Sequence, residues 1–253
     1  MQIRSFWQLL IVFTALSIGA TFQAQGTPLF NLLPLEGVEM ENPTALQFGP
    51  DGRLYISELN GLIRILEVEA TDDNYYVTSE ETIDLIQSIP NYNDDGTRRN
   101  ETGRQVTGML VTGTSDDPVI YVSSSDDRVF FFYMGVANES EYLNQLPDTN
   151  SGIISRLQQA TDGWQRTDLV RGLPRSINNH STNGLALDPT SQILYVAQGG
   201  NTNMGAPNSN TERQPEYAYT AAVLSIDLAQ IGNESYDLPT LDPPTDPTAD
   251  NYN

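Results

Sequence analysis

Apolar and polar residues alternate along three separate stretches of this chain, each interrupted by a short polar turn. The first runs Pro43-Thr-Ala-Leu-Gln-Phe48, then Gly-Pro-Asp-Gly-Arg, then Leu54-Tyr-Ile-Ser57. The second is Val106-Thr-Gly-Met-Leu-Val-Thr112, a turn, and Val119-Ile-Tyr-Val-Ser123. The third is Thr182-Asn-Gly-Leu-Ala-Leu-Asp-Pro189, a turn, and Ile193-Leu-Tyr-Val-Ala197. Successive side chains of a strand point to opposite faces, so a period of two on both sides of a turn predicts a β-hairpin. Each hairpin ends in an aliphatic-Tyr-aliphatic-small run, anchored by Tyr55, Tyr121 and Tyr195.

Further strands are predicted between the hairpins, at Leu62–Val68, Arg128–Met134, Gly152–Leu157, Trp164–Val170 and Ala222–Leu228. Three or four strands per repeat is the content of a β-propeller blade. The repeats lie about 70 residues apart, against roughly 40 to 50 in common propeller repeats. The excess falls in loops rich in Asn, Asp, Gly and Pro, at Asn91–Arg104, Asn138–Ser151 and Asn201–Tyr217. Loops of that length in a compact β domain are usually functional. The expectation is an all-β fold carrying about three blades of a propeller over residues 25–236. A β-sandwich with coincidental repetition is the alternative. Propellers close with four to eight blades, so three make an incomplete propeller. The Pro/Asp-rich tail, 237–253, supplies no further strand pattern, and the expectation is a chain truncated before its remaining blades.

Before the first repeat comes a targeting pattern. Arg4 is followed by an almost wholly apolar run, Phe6–Ala20, and by the small residues Gly19, Ala20 and Ala24. That run is shorter than the roughly 20 residues a spanning helix needs, so 1–24 reads as a signal peptide. An uncleaved anchor is the alternative. The expected location is secreted or periplasmic, with no membrane span once the signal is removed.

Composition narrows the chemistry. The 253 residues carry 33 Asp and Glu against 12 Arg, no Lys, one His and no Cys, for a net charge of −21. Such a charge repels phosphate backbones, which argues against nucleic acid as a partner. Without cysteine there is no disulfide, thiolate zinc site or thiol nucleophile. A single histidine excludes HExxH and other multi-histidine metal sites.

That histidine, His180, stands in Leu173-Pro-Arg-Ser-Ile-Asn-Asn-His180-Ser-Thr-Asn-Gly-Leu185, just ahead of the third hairpin. A neutral imidazole is suited to removing a hydroxyl proton near neutral pH. From spacing alone it reads as a surface or hydrogen-bonded loop histidine. Asn91-Tyr-Asn-Asp-Asp-Gly96 imitates the start of a calcium loop, but the position needing Glu holds Thr102. It reads as a solvated turn, as do the acidic pairs Asp116-Asp117 and Asp126-Asp127. Trp164 and Phe130-Phe-Phe-Tyr133 read as blade core. No residue is assigned as a metal ligand.

The run His180, Gly184-Leu185, an Asp-Pro turn, Leu194-Tyr195-Val196 and Gly199 resembles the soluble quinoprotein glucose/sorbosone dehydrogenases. Asn42–Gly61 and Gly108-Met109-Leu110 fit the same family, and the resemblance covers roughly residues 42–230. It implies a six-bladed propeller, pyrroloquinoline quinone (PQQ) and Ca²⁺ as cofactors, and a sugar as substrate. His180 would be the general base taking the anomeric hydroxyl proton. Gln105 and Asn179 would be cofactor-binding, with Asn179 at a position that is acidic in the family. Gly199-Gly200 replaces the family's Gly-Asp pair. The family's remaining quinone and Ca²⁺ contacts lie downstream of Asn253. The resemblance leaves the sugar and the electron acceptor open. Two competing readings are a non-catalytic propeller binding glycans or proteins at a cell surface, and a metal-dependent lactonase-type propeller, which Tyr55-Ile-Ser-Glu58 and Asn60-Gly61 resemble.

Overall fold

A computed structural model describes residues 32–92, 97–100, 102–128, 150–176, 180–201, 216 and 218–239. The 1–24 leader, the Phe130–Tyr133 cluster and Asn179 lie outside the described residues. Leu33–Asn253 forms a compact unit of its own.

Two short strands and three meanders make up this unit. Strand β1 is Leu35–Glu36. The first meander is β2 (Pro43–Phe48), β3 (Leu54–Glu58), β4 (Ile63–Ala70) and β5 (Tyr75–Ile83), and β1 adds to β5 in parallel at its outer edge. The second is β6 (Gln105–Gly113), β7 (Pro118–Ser125), β8 (Gly152–Ala160) and β9 (Gly163–Leu173). The third is β10 (Thr182–Asp188), β11 (Ile193–Gln198) and β12 (Ala222–Asp227). After β12 the chain forms a one-turn helix, α1 (Leu228–Ile231), capped by the Asp227 side chain accepting from the Gln230 N–H at 2.9 Å. It then returns to the second sheet, where β13 (Tyr236–Asp237) pairs in parallel with β9. The pairing therefore reaches Asp237, whose carboxylate meets the Arg171 Nε at 2.6 Å, and Leu238 is buried just beyond.

Each meander is the blade-like unit that the hairpin pattern predicts, with β2, β6 and β10 as the first strands. The turn between β2 and β3 closes through Gly52, whose φ of +81° strains any residue with a Cβ. Strands β8 and β9, expected between the second and third hairpins, belong to the second sheet. Strand β5 carries no alternation and was not expected. Three separate meanders, rather than two stacked layers, replace the sandwich alternative.

The sheets pack face to face through the alternation itself. Ile120 and Val122 on β7 face the first sheet, where they meet Tyr55, Ile63 and Ile65. Tyr121, between them, points the other way and packs with Leu194, Val196 and Ile226 of the third sheet. Burying each such side chain contributes about 1.5–3 kcal/mol. The corresponding tyrosine of the third sheet, Tyr195, is 42% exposed, because no described sheet lies beyond it. On the same face Val223 is 74% exposed. At the opposite end of the series, the outer face of the first sheet leaves Leu46 68% and Phe48 62% exposed.

Polar groups fix the spacing between first strands. The Gln47 amide on β2 donates to the Val111 carbonyl at 2.8 Å and accepts from the Val111 N–H at 2.9 Å. Gln47→Ala removes both bonds and leaves the Val111 backbone groups without them. The expected cost is about 1–3 kcal/mol, read as a lower urea midpoint with an unchanged slope. Farther out, the Trp164 Nε1–H donates to Glu81 at 2.7 Å, and Arg166 donates to the Leu85 carbonyl.

Candidate active site at the start of the first strands

Strands β6 and β10 lie side by side. The Thr107 hydroxyl donates to the Thr182 carbonyl, and one residue farther along Gly108 lies against the Asn183 backbone. The two strands therefore advance in the same direction. Gln105 stands two residues before Thr107, and His180 two residues before Thr182. Both are consequently at the same end of adjacent strands.

His180 is half-buried and held by Ser176 and by the Gly200 backbone. The Ser176 N–H donates to the His180 carbonyl at 2.8 Å, and the His180 N–H donates to the Ser176 hydroxyl at 2.8 Å. The ring Nδ1 lies 2.7 Å from the Gly200 carbonyl oxygen. A carbonyl only accepts, so Nδ1 carries the hydrogen of the neutral ring. Nε2 is then left with its lone pair, the form a general base needs. Gly200 is packed against Glu216, whose carboxylate also accepts from the Asn201 N–H at 2.8 Å. Glu216 thus places an acid one residue from the imidazole's partner, where the sequence offered only Asn179.

Gln105 is buried at the start of β6, its side-chain oxygen 3.4 Å from the Ser125 hydroxyl. Behind it lies a buried charged cluster. Asp126 is fully buried and takes a two-pronged bond from Arg128, Nε to Oδ1 at 2.9 Å and Nη2 to Oδ2 at 2.7 Å. Arg99 stands 2.5 Å from Asp127 and 3.7 Å from Asp126. Arg104, fully buried, donates to Asn91 at 2.9 Å, to the Ser124 hydroxyl at 3.3 Å and to the Ser151 carbonyl. Arg175 is buried as well. Burial pulls its guanidinium down to about 10; Asp126 opposes the fall, and Arg104 and Arg128 add to it.

The reading of Asp126-Asp127 as solvated turn residues is therefore corrected for Asp126. An aspartate sealed from water must be paired, and the Asp-x-Arg spacing to Arg128 provides the partner. That spacing is the signal in the sequence, since Asp51-x-Arg53 makes the same contact at 2.6 Å in the first sheet. Arg175, Arg104 and Glu216 were missed. Nothing in their local pattern distinguishes them, because only the fold brings the segments after β5, β7, β9 and β11 together. Asn91, the first residue of the calcium-like run, is engaged with Arg104 and with the Gly103 carbonyl, the latter at 2.5 Å. Residues 93–96 of that run lie outside the described residues. Among the described residues no group of three or more His, Cys, Asp or Glu is close enough to hold a metal ion, and no helix is long and apolar enough to cross a membrane.

No protein-family profile matches the chain. No curated protein matches it either. Solved structures do. One is the calcium structure of a Trichoderma reesei carbohydrate-active enzyme of family AA12, 13% identical over 80% of this chain and 40% of that one, at a TM-score of 0.46. Another is the holo form of the pyranose dehydrogenase PQQ domain from Coprinopsis cinerea, 13% identical over 78% and 36%, at 0.42. A third is the PQQ-bound aldose sugar dehydrogenase from Streptomyces coelicolor, 14% identical over 78% and 47%, at 0.41. The chain spans less than half the length of each of these proteins.

Proposed function

We propose that these blades belong to an exported six-bladed propeller that oxidises an aldose or related sugar, with PQQ as the electron acceptor at the site. His180 carries this reading: its Nδ1 is committed to the Gly200 carbonyl, so Nε2 is free to accept a proton. The exposed faces around Tyr195 and Val223, and around Leu46 and Phe48, support further blades of a longer chain packing on both sides. Gln105 supports the cofactor assignment, since its amide hydrogens are available to a quinone or carboxylate oxygen at the same end of the strands as His180. The described donors do not make a calcium site, and the steps below use none.

When bound, PQQ supplies a two-electron acceptor for the hydrogen on the sugar's anomeric carbon. The residues of this chain do the rest. His180 Nε2 accepts the anomeric hydroxyl proton as the C–H electron pair leaves with its hydrogen. The ring's Nδ1–H, bonded to Gly200, spreads the positive charge the imidazole gains. Glu216, beside Gly200, stabilises that charge through space.

The test uses the full reading frame that carries these blades. Supplied with PQQ and Ca²⁺, the purified protein is expected to reduce a redox dye in the presence of aldoses. His180→Ala should lower the rate by about 10²–10⁴-fold, the usual contribution of a positioned base. No dye reduction with any sugar, or full activity in His180→Ala, overturns the proposal. Sugar binding without quinone uptake would favour the non-catalytic glycan-binding reading.

A further inference from the structure

We infer that Arg175 is the positioning residue for His180, locking the imidazole into its Nδ1–H form by tying Ser176 and His180 to the segment that follows β7. The guanidinium is buried, and its bonds all go to main-chain carbonyls. Nη1 donates to Ser176 at 2.5 Å and to His180, the residue that carries the ring, at 3.3 Å. Nε donates to Asp126 at 3.3 Å and Nη2 to Arg128 at 2.5 Å, in the segment that follows β7. Among the described residues no carboxylate lies within ion-pair distance of it. A buried cation placed this way is not half of a salt bridge. It gathers four carbonyl dipoles whose oxygens would otherwise repel one another.

The shape of the group matters. A guanidinium presents its five N–H donors as a flat fork and reaches two segments at once. A lysine ammonium has three donors at one point and cannot hold both. With the fork gone, Ser176 and His180 are no longer tied to the Asp126–Arg128 segment. The Nδ1–Gly200 bond then loses its fixed geometry, and the ring can sample the other tautomer.

The inference rests on the reading of His180 as the reactive base for its importance, but its test does not. The chain has one histidine, so ¹⁵N-histidine labelling gives a single pair of ring nitrogens. In the unmodified protein a long-range ¹H–¹⁵N spectrum at neutral pH should show one tautomer, protonated at Nδ1. With ¹⁵N-arginine, the Arg175 Nη hydrogens should appear as separate, slowly exchanging signals. A mixture of tautomers, or an Arg175 signal averaged by free rotation and fast exchange, overturns the inference without any variant being needed. R175K, which keeps the cation, is expected to show both tautomers, whereas Arg166→Gln in the outer part of the second sheet keeps the single form. A folded R175K with an unchanged single tautomer would likewise overturn it. If the unmodified protein shows the single tautomer, and R175K both, but no sugar supports dye reduction, the sugar-oxidation reading falls and this one stands.

Discussion

Gly108→Ala is expected to destabilise the fold strongly. A Cβ at this position would sit 2.7 Å from the Ser123 hydroxyl oxygen and closer still to the Asn183 main chain. Real Cβ atoms do not approach backbone so closely, and Asn183 belongs to a strand that cannot move alone. Relief therefore requires β10 to separate from β6, which also breaks the Thr107–Thr182 and Ser123–Asn183 bonds. Overpacking typically costs about 1–3 kcal/mol, and here the obstacle is main chain, so the upper end or beyond is expected. Gly184→Ala is the control, since nothing lies within 4 Å of its added methyl and its φ is not positive. Urea midpoints should fall steeply for the first variant and stay within experimental scatter for the second. Equal midpoints would mean that the two strands are not in the contact described.

Asp126→Ala should be comparably damaging for a different reason. Its carboxylate is the buried acceptor for Arg128 and stands within reach of Arg99, with Arg175 close by. Removing it leaves cations facing one another out of water. Breaking a buried pair by deleting one partner costs about 3–5 kcal/mol. Asp126→Asn keeps the shape and removes only the charge, so it separates electrostatics from packing. If Asp126→Asn unfolds at the same urea concentration as the parent, the charge contributes nothing and the cluster is held by geometry alone. If both variants unfold early, the carboxylate is the group that makes four neighbouring arginines tolerable in one place.

The hairpins were legible because successive side chains of a strand face opposite sides, and the apolar ones meet a core there. Tyr55 and Tyr121 announced the hairpins for this reason, and both are buried between sheets. Strand β5 was not legible. It pairs along its length with β4, yet both of its faces are largely open to solvent, so Tyr75-Tyr-Val-Thr-Ser-Glu-Glu-Thr-Ile83 has no periodic apolar requirement. Two-residue strands such as β1 and β13 leave no pattern at all. In the site, His180 stood out as the one imidazole of the chain, and Gln105 came only through a family resemblance. Arg175 and Glu216 have meaning only once separate loops converge, which no spacing rule along the chain encodes.

The parallel pairing of β13 with β9 has a consequence for biosynthesis. β9 ends at Leu173, but its partner begins at Tyr236, on the far side of all of β10, β11 and β12. A nascent polypeptide emerging from the ribosome cannot finish its second sheet until the third has been made. The middle unit must wait with one edge open, and that edge is sealed by residues that arrive only after its neighbour has had the chance to dock. Maturation of the two sheets is thereby joined into one event, with the Arg171–Asp237 clasp as its closing step.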